Sequence, residues 1–269
     1  MINPINPPFR FEIRKLEPQH LEWAKAILSH SNIFHSPVWA NIYPEKQTER
    51  FYATFDGATY AVQHQIKSGL SYGVFDKEYV FKKPESAKTG GAVYFQAEEQ
   101  RDPSLTGDEI LEQMDFPLAS IALAFDAADP MDMGRIAPLF EALPDFAAFT
   151  SRLKARDARD GSTWEAKGPG EVLKRMGTAT RADYMNVGIT KMMAHWLIYD
   201  AAEKGFRGID IACYHDAVNH IWMHPPEPFR SELVAVFRVD EYEYEREGEV
   251  VRPYGHVGQT LSKVYVYLK

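Results

Sequence analysis

The alternation of apolar and polar residues divides the chain into short strands and amphipathic helices. Phe9, Phe11 and Ile13 alternate with charged neighbours, which predicts a first strand over Phe9 to Glu17. Pro18 then suits a first helical turn, and Leu21, Ala24, Ile27 and Leu28 fall at helical spacing behind it. A short second helix is expected around Pro37 to Ile42, and a broken one over Gln47 to Lys67 with Gly57 as its interruption. Leu70 to Phe81 reads as strand, and Ala92 to Gln96 as a shorter one. Thr106 with Glu109 three residues on is a capping-box pattern that starts a helix. Pro117 to Phe125 is apolar throughout, so its period does not decide between strand and helix. Asp132 to Leu143 and Asp145 to Ala155 are amphipathic helices divided at Pro144, and Arg156 to Gly170 resembles a linker or a long loop.

The most informative stretch is Thr178 to Trp222. It predicts a strand, a tight turn at Val187-Gly188, a helix over Thr190 to Lys204, a Gly205-Phe206 turn and a strand over Gly208 to Cys213. Ile189, Met192, Met193, Trp196, Leu197 and Ala201 recur at three- and four-residue steps on one face of the helix. Further on, Leu233 to Tyr244, Val250 to Tyr254 and Ser262 to Leu268 read as strands. The acidic run Asp240 to Glu249 would set Glu241, Glu243 and Glu245 on one face, either solvated or guiding a cationic substrate.

The order strand, glycine turn, helix, strand has chemical meaning. The first amides of a helix lack partners inside it and carry partial positive charge. A pyrophosphate can sit there if no side chain blocks it, and Gly188 gives that clearance. An ordinary strand–helix turn would look the same in sequence. Here the chain resembles the GNAT superfamily of acyl-CoA-dependent acyltransferases, whose turn reads Arg/Gln-x-x-Gly-x-Gly/Ala. The matching residues are Met185, Asn186, Val187, Gly188, Ile189 and Thr190, with the first glycine kept. Met185 and Thr190 depart from the pattern, and the Thr190 Cβ and hydroxyl are expected where backbone would approach phosphate. The RMGTAT lead-in and the segments GFRGIDI, HDAVNHIW and PPEPF follow the family order too, most like a group of fungal GNAT-like proteins.

The resemblance implies an α+β or α/β fold. A mixed central sheet would be flanked by helices, with a largely helical insertion over about 98–168. Three prolines and no periodicity predict a loose tail over 1–8, and a single domain of this kind is expected over 9–269. The resemblance also implies acetyl-CoA, or another acyl-CoA, as co-substrate. The pyrophosphate would be held by Met185, Asn186, Val187, Gly188, Ile189, Thr190 and Lys191, and the pantetheine arm by the backbone of Thr178, Ala179 and Thr180. The expected activity is N-acyl transfer, most simply N-acetyl transfer, to a small amine by direct attack on the thioester. The alternative is a module of the same fold that binds acyl-CoA or a protein without turnover. In the next helix, His215, Val218 and Trp222 stand where the family has Asn, Ala and Tyr. The tyrosine protonates the leaving thiolate, a task beyond an indole, so Tyr214, His215 and His220 are the replacement candidates.

Composition narrows the rest. With 45% hydrophobic residues among 269, a sizeable core is available. A net charge of −8 argues against nucleic acid or an anionic membrane as partner and favours a cationic or neutral substrate. One cysteine, Cys213, excludes an intrachain disulfide and fits a cytoplasmic setting. Next to His215 it invites comparison with a thiol nucleophile, but its strand position points it into the core. His215, His220 and His224 are not spaced for one helical face, so no metal site is expected. A monomer or a homodimer is equally compatible.

Overall fold

The computed structural model describes residues 3–269. Seven strands make the central sheet: β1 Phe11–Lys15, β2 Tyr72–Asp76, β3 Leu118–Asp126, β4 Val172–Thr180, β5 Gly208–Cys213, β6 Arg230–Arg238 and β7 Thr260–Tyr267. Their spatial order is β1-β2-β3-β4-β5-β7-β6. All neighbours run antiparallel except β4 and β5. The longer helices are α1 Leu21–His30, α2 Gln47–Gly57, α3 Thr59–Lys67, α4 Pro144–Ala155, α5 Ile189–Glu203 and α6 Asp216–Met223. This is the mixed sheet flanked by helices that the sequence led us to expect.

Two apolar layers hold the sheet. Ala24 and Ile27 of α1, Phe51 and Phe55 of α2 and Val62 of α3 pack with Phe75, Leu118, Ile121 and Leu123 on one face. Ala194 and Ile198 of α5 and Trp222 of α6 pack with Ile209, Ile211, Cys213 and Val264 on the other. Covered on both faces, β3 is buried from Leu118 to Phe125, and so it carries no alternation for a sequence reading to find. That strand is also the one regular element of the central sheet inside 98–168. The helical elaboration lies on either side of it rather than forming one block.

Other boundaries moved for local reasons. The second strand ends at Asp76 instead of reaching Phe81. The Asp76 carboxylate accepts from Arg10 Nε (3.0 Å), the Glu78 amide (3.0 Å) and the Tyr184 hydroxyl (2.7 Å), and so fixes a turn at that point. The acidic run is not one strand. A 3₁₀ turn over Val239–Glu241 interrupts it, and Asp240 and Glu243 are occupied by Arg238 and Arg252. Glu241, Glu243 and Glu245 therefore do not share a strand face.

The linker-like stretch 156–170 is pinned beneath the sheet. Asp157 binds Lys263 of β7 at 2.8 Å and Arg159 at 2.8 Å. Lys263 in turn stands 3.6 Å from Asp210 of β5 and over the Trp164 ring at 3.9 Å. Although burial alone would raise it, these cations hold the Asp157 carboxyl far below the usual carboxylate range. At the other end of the chain, the Asn3 amide donates to Glu203 (3.0 Å) and its side chain to the Trp196 carbonyl (3.0 Å), both on α5. The rest of the tail expected over 1–8 includes Met1 and Ile2, which lie outside the described residues.

Candidate active site

The site begins where β4 and β5 part. They pair in parallel from Val172 with Gly208 to Arg175 with Ile211, and no further. Beyond that point β4 keeps its other neighbour: Thr178 still faces Ala122, and Thr180 still faces Ser120, both on β3. The edge of β4 toward β5 is thus free of strand partners from Met176 to Thr180. The sequence assigned Thr178, Ala179 and Thr180 to this edge.

A bulge lies at the fork. Register with β3 shifts between Ala122 and Ala124, and Gly177 adopts φ +107°, a region that favours glycine. The extra residue re-phases the strand, so that Arg175 and Thr178 meet on the α5 side, with Arg175 Nη2 donating to Thr178 Oγ1 at 2.8 Å. Without the bulge a three-residue step would place them on opposite faces.

The strand leads into a braced turn. Arg181 is buried, and its guanidinium binds both oxygens of Asp183 (2.9 and 2.6 Å) and the Phe116 carbonyl. Tyr184 binds Asp76 at 2.7 Å, tying the same turn to β2. Asn186 and Gly188 then adopt left-handed φ values of +64° and +80°, and α5 starts. Gly188 is its N-cap, with no side chain capping the helix. The first amide bonded within the helix is that of Met192, which donates to the Gly188 carbonyl at 3.1 Å. Among the described residues no acceptor answers the amides from Asn186 to Lys191. A Cβ built on Gly188 would meet no atom within 4 Å, and Val187 is 60% exposed. Unanswered donors at an open helix mouth fit a pyrophosphate, with the Lys191 ammonium one turn in.

Thr190 does not obstruct this mouth. Its hydroxyl is turned inward, 3.1 Å from Thr180 Oγ1, which is itself 2.8 Å from Ser120 Oγ. The residue that breaks the family pattern fastens the first turn of α5 to β4 and β3. Ile189 is buried in the same contact, and Met185 is half-buried.

The three proton-transfer candidates are dispersed. Tyr214 follows Cys213 on the opposite side of β5; its ring stacks on Trp39 at 5.6 Å and its hydroxyl lies 2.8 Å from Thr150 Oγ1. Burial pushes its phenol well above the usual range. His215 caps α6: Nδ1 accepts from the Ala217 amide at 2.9 Å, so its proton sits on Nε2. Burial lowers its pKa, keeping the ring neutral. His220 is exposed and stacks on His224 with ring centres 4.2 Å apart.

Sequence reasoning did not single out the groups that face the fork most closely. Arg175 is 2% exposed, donates from Nη1 to the Leu123 carbonyl at 2.5 Å and has Nε without an acceptor. Its guanidinium lies 5.9 Å from the Trp222 ring. Asn219 of α6 binds Ser262 of β7 at 2.7 Å, beside the buried Cys213. Burial raises the Cys213 thiol to about 12, with Ser262 and Arg175 opposing, so it stays protonated and inert. No signal in the sequence set Arg175 apart, because it stands next to Lys174 in a strand that also carries Thr178 and Thr180.

Comparison with known proteins agrees with the fold. No family model matches the chain, and no curated protein matches it by sequence. Solved structures do. The C-terminal condensation domain of Ebony, in complex with beta-alanyl-dopamine, is 16% identical, with a TM-score of 0.55 over 95% of this chain and 97% of that one. Arylalkylamine N-acetyltransferase 2 from Aedes aegypti is 8% identical, with a TM-score of 0.55 over 96% and 99%. The polyamine N-acetyltransferase of Drosophila melanogaster, which catalyses the formation of N-acetylagmatine, is 8% identical, with a TM-score of 0.52 over 95% and 98%. Over at least 95% of its length, this chain has the GNAT-like fold of these neighbours.

Proposed function

We propose that the protein is an acyl-CoA-dependent N-acyltransferase, most simply an N-acetyltransferase, acting on a small amine. One observation carries the reading: a strand edge opens at the fork between β4 and β5 and runs into a helix mouth whose amides have no acceptor. The pyrophosphate binds at Asn186 to Lys191. The pantetheine arm, which carries two amides, adds to β4 along Met176 to Thr180 as a further strand would. That direction brings the thioester to the fork. The amine nitrogen attacks the thioester carbonyl, a C–N bond forms as the C–S bond breaks, and the proton lost from nitrogen ends on the CoA thiolate. No enzyme nucleophile is needed. The similar proteins act on or bind small amines, in keeping with an amine acceptor.

A second reading is favoured by the α6 contacts. Trp222 is 2% exposed and wedged beside Arg175, while Tyr214 and His215 are engaged elsewhere. A chain so arranged can bind acyl-CoA without transferring its acyl group. Thiol release from acetyl-CoA, measured with arylalkylamines and polyamines, separates the two. Amine-dependent release is expected. Saturable binding with no release by any amine would establish the binding module instead.

A further inference from the structure

Among the described residues, Arg175 is a buried cation with no anion of its own. Arginine stays charged in proteins, and placing that charge in a core is costly unless an opposite charge or a full set of acceptors receives it. Here two of its nitrogens have acceptors, the Leu123 carbonyl and the Thr178 hydroxyl, and Nε has none. The nearest acidic residue on β5, Asp210, belongs to the opposite face, where Lys174 and Lys263 take it up. Cys213 is buried beside Arg175, and burial raises that thiol to about 12, so it stays neutral and supplies no counter-charge. Arg175 is also the last residue of β4 to pair with β5. Its side chain reaches forward to Thr178, and Cys213 lies two residues beyond the last pair on β5. The guanidinium therefore fills the apex of the fork, with the Trp222 ring against it.

We infer that Arg175 receives a carboxylate at the far end of the acyl group, so that the preferred donor is the CoA thioester of a dicarboxylic acid. The inference rests on the acyl-CoA reading above. With the pyrophosphate at the Gly188 mouth and the arm along Met176 to Thr180, the acyl chain enters the fork end-first and meets the guanidinium. Nε supplies a charge-assisted hydrogen bond that the protein leaves unused, and the Trp222 ring stands 5.9 Å from the guanidinium as its apolar neighbour. The transfer itself is unchanged. The amine attacks the thioester carbonyl, the C–S bond breaks, the thiolate takes the proton, and the distal carboxylate passes untouched into the amide.

The test compares equilibrium binding of CoA, acetyl-CoA, succinyl-CoA and 4-methylpentanoyl-CoA; the last has the shape of succinyl-CoA without its charge. The wild-type chain is expected to bind succinyl-CoA at least about tenfold more tightly than its neutral counterpart. Arg175→Met is expected to erase or invert that ratio while leaving affinity for CoA itself within about threefold, and Arg175→Lys to retain part of it. Equal wild-type affinities for the two thioesters overturn the inference, as does a ratio that survives in Arg175→Met. Circular dichroism and melting establish that each variant folds. If the methionine variant does not, the wild-type ratio alone decides. CoA binding without the ratio defeats this inference and leaves the acyl-CoA reading standing. Failure of CoA and of every thioester to bind defeats both.

Discussion

Single residues decide what the helix mouth can do. Thr190 replaces a glycine or alanine of the family turn, and in sequence it reads as an obstruction. The structure gives its hydroxyl a different partner, Thr180, which is in turn bonded to Ser120. A chain of three hydroxyls inside the sheet is invisible in sequence because it depends on the pairing of β3 with β4. Thr190→Val keeps the shape and removes the bond. It is expected to lower stability by about 1 kcal/mol and to leave CoA affinity unchanged, as urea unfolding and calorimetric titration would show. A large loss of affinity at unchanged stability would mean that the hydroxyl touches the ligand. Gly188 was legible by contrast, since a left-handed N-cap before a long amphipathic helix calls for glycine whatever the tertiary contacts. Arg175 was not, because nothing local marks an arginine as buried.

Among elements, those with a period of their own were the readable ones. The α5 helix and the β5 strand fall within a residue of their expected ends, each having an apolar period of its own, with Gly205 after the helix and Gly208 opening the strand. The capping box at Thr106 and Glu109 is present in both directions, and the break at Gly57 separates α2 from α3. At Gly57 a Cβ would lie 2.7 Å from the Pro138 carbonyl oxygen, so close approach of the segment 137–142 explains the glycine. Strand β3 and the bulge in β4 were illegible for opposite reasons. Burial on both faces removed the alternation from β3. In β4 the extra residue exists only relative to a partner strand. The fork belongs to the same class, since where two strands stop pairing is a property of the pair. The candidate catalytic residues Tyr214, His215 and His220 were chosen for proximity in sequence, and β5 and α6 send them three different ways.

On the scale of the whole molecule, buried histidines set the response to acid. Burial lowers the pKa of His20, and that of His30, whose Nε2 lies 2.8 Å from the Gly107 carbonyl, to about 4. A histidine held neutral in the fold binds fewer protons than it does unfolded. Stability is therefore full above the ordinary value of about 6.5 and is lost as pH falls from there toward about 4. Asp76 adds a second loss at lower pH: burial opposes its ionisation, but the bonds from Arg10 and Tyr184 prevail and depress its pKa. Melting temperature is thus expected to fall steadily between about pH 6.5 and 4, with a shallower slope in His30→Gln. A flat profile across that window would contradict the buried, neutral histidines.

The same molecular frame, a sheet that forks beside an open helix mouth, supports the account of function. Its most direct test is electron density from crystals grown with acetyl-CoA. The account predicts the pyrophosphate oxygens about 2.8–3.2 Å from amides between Asn186 and Lys191, with the pantetheine arm along Met176 to Thr180. A cofactor bound anywhere else, with those amides facing water, would contradict it.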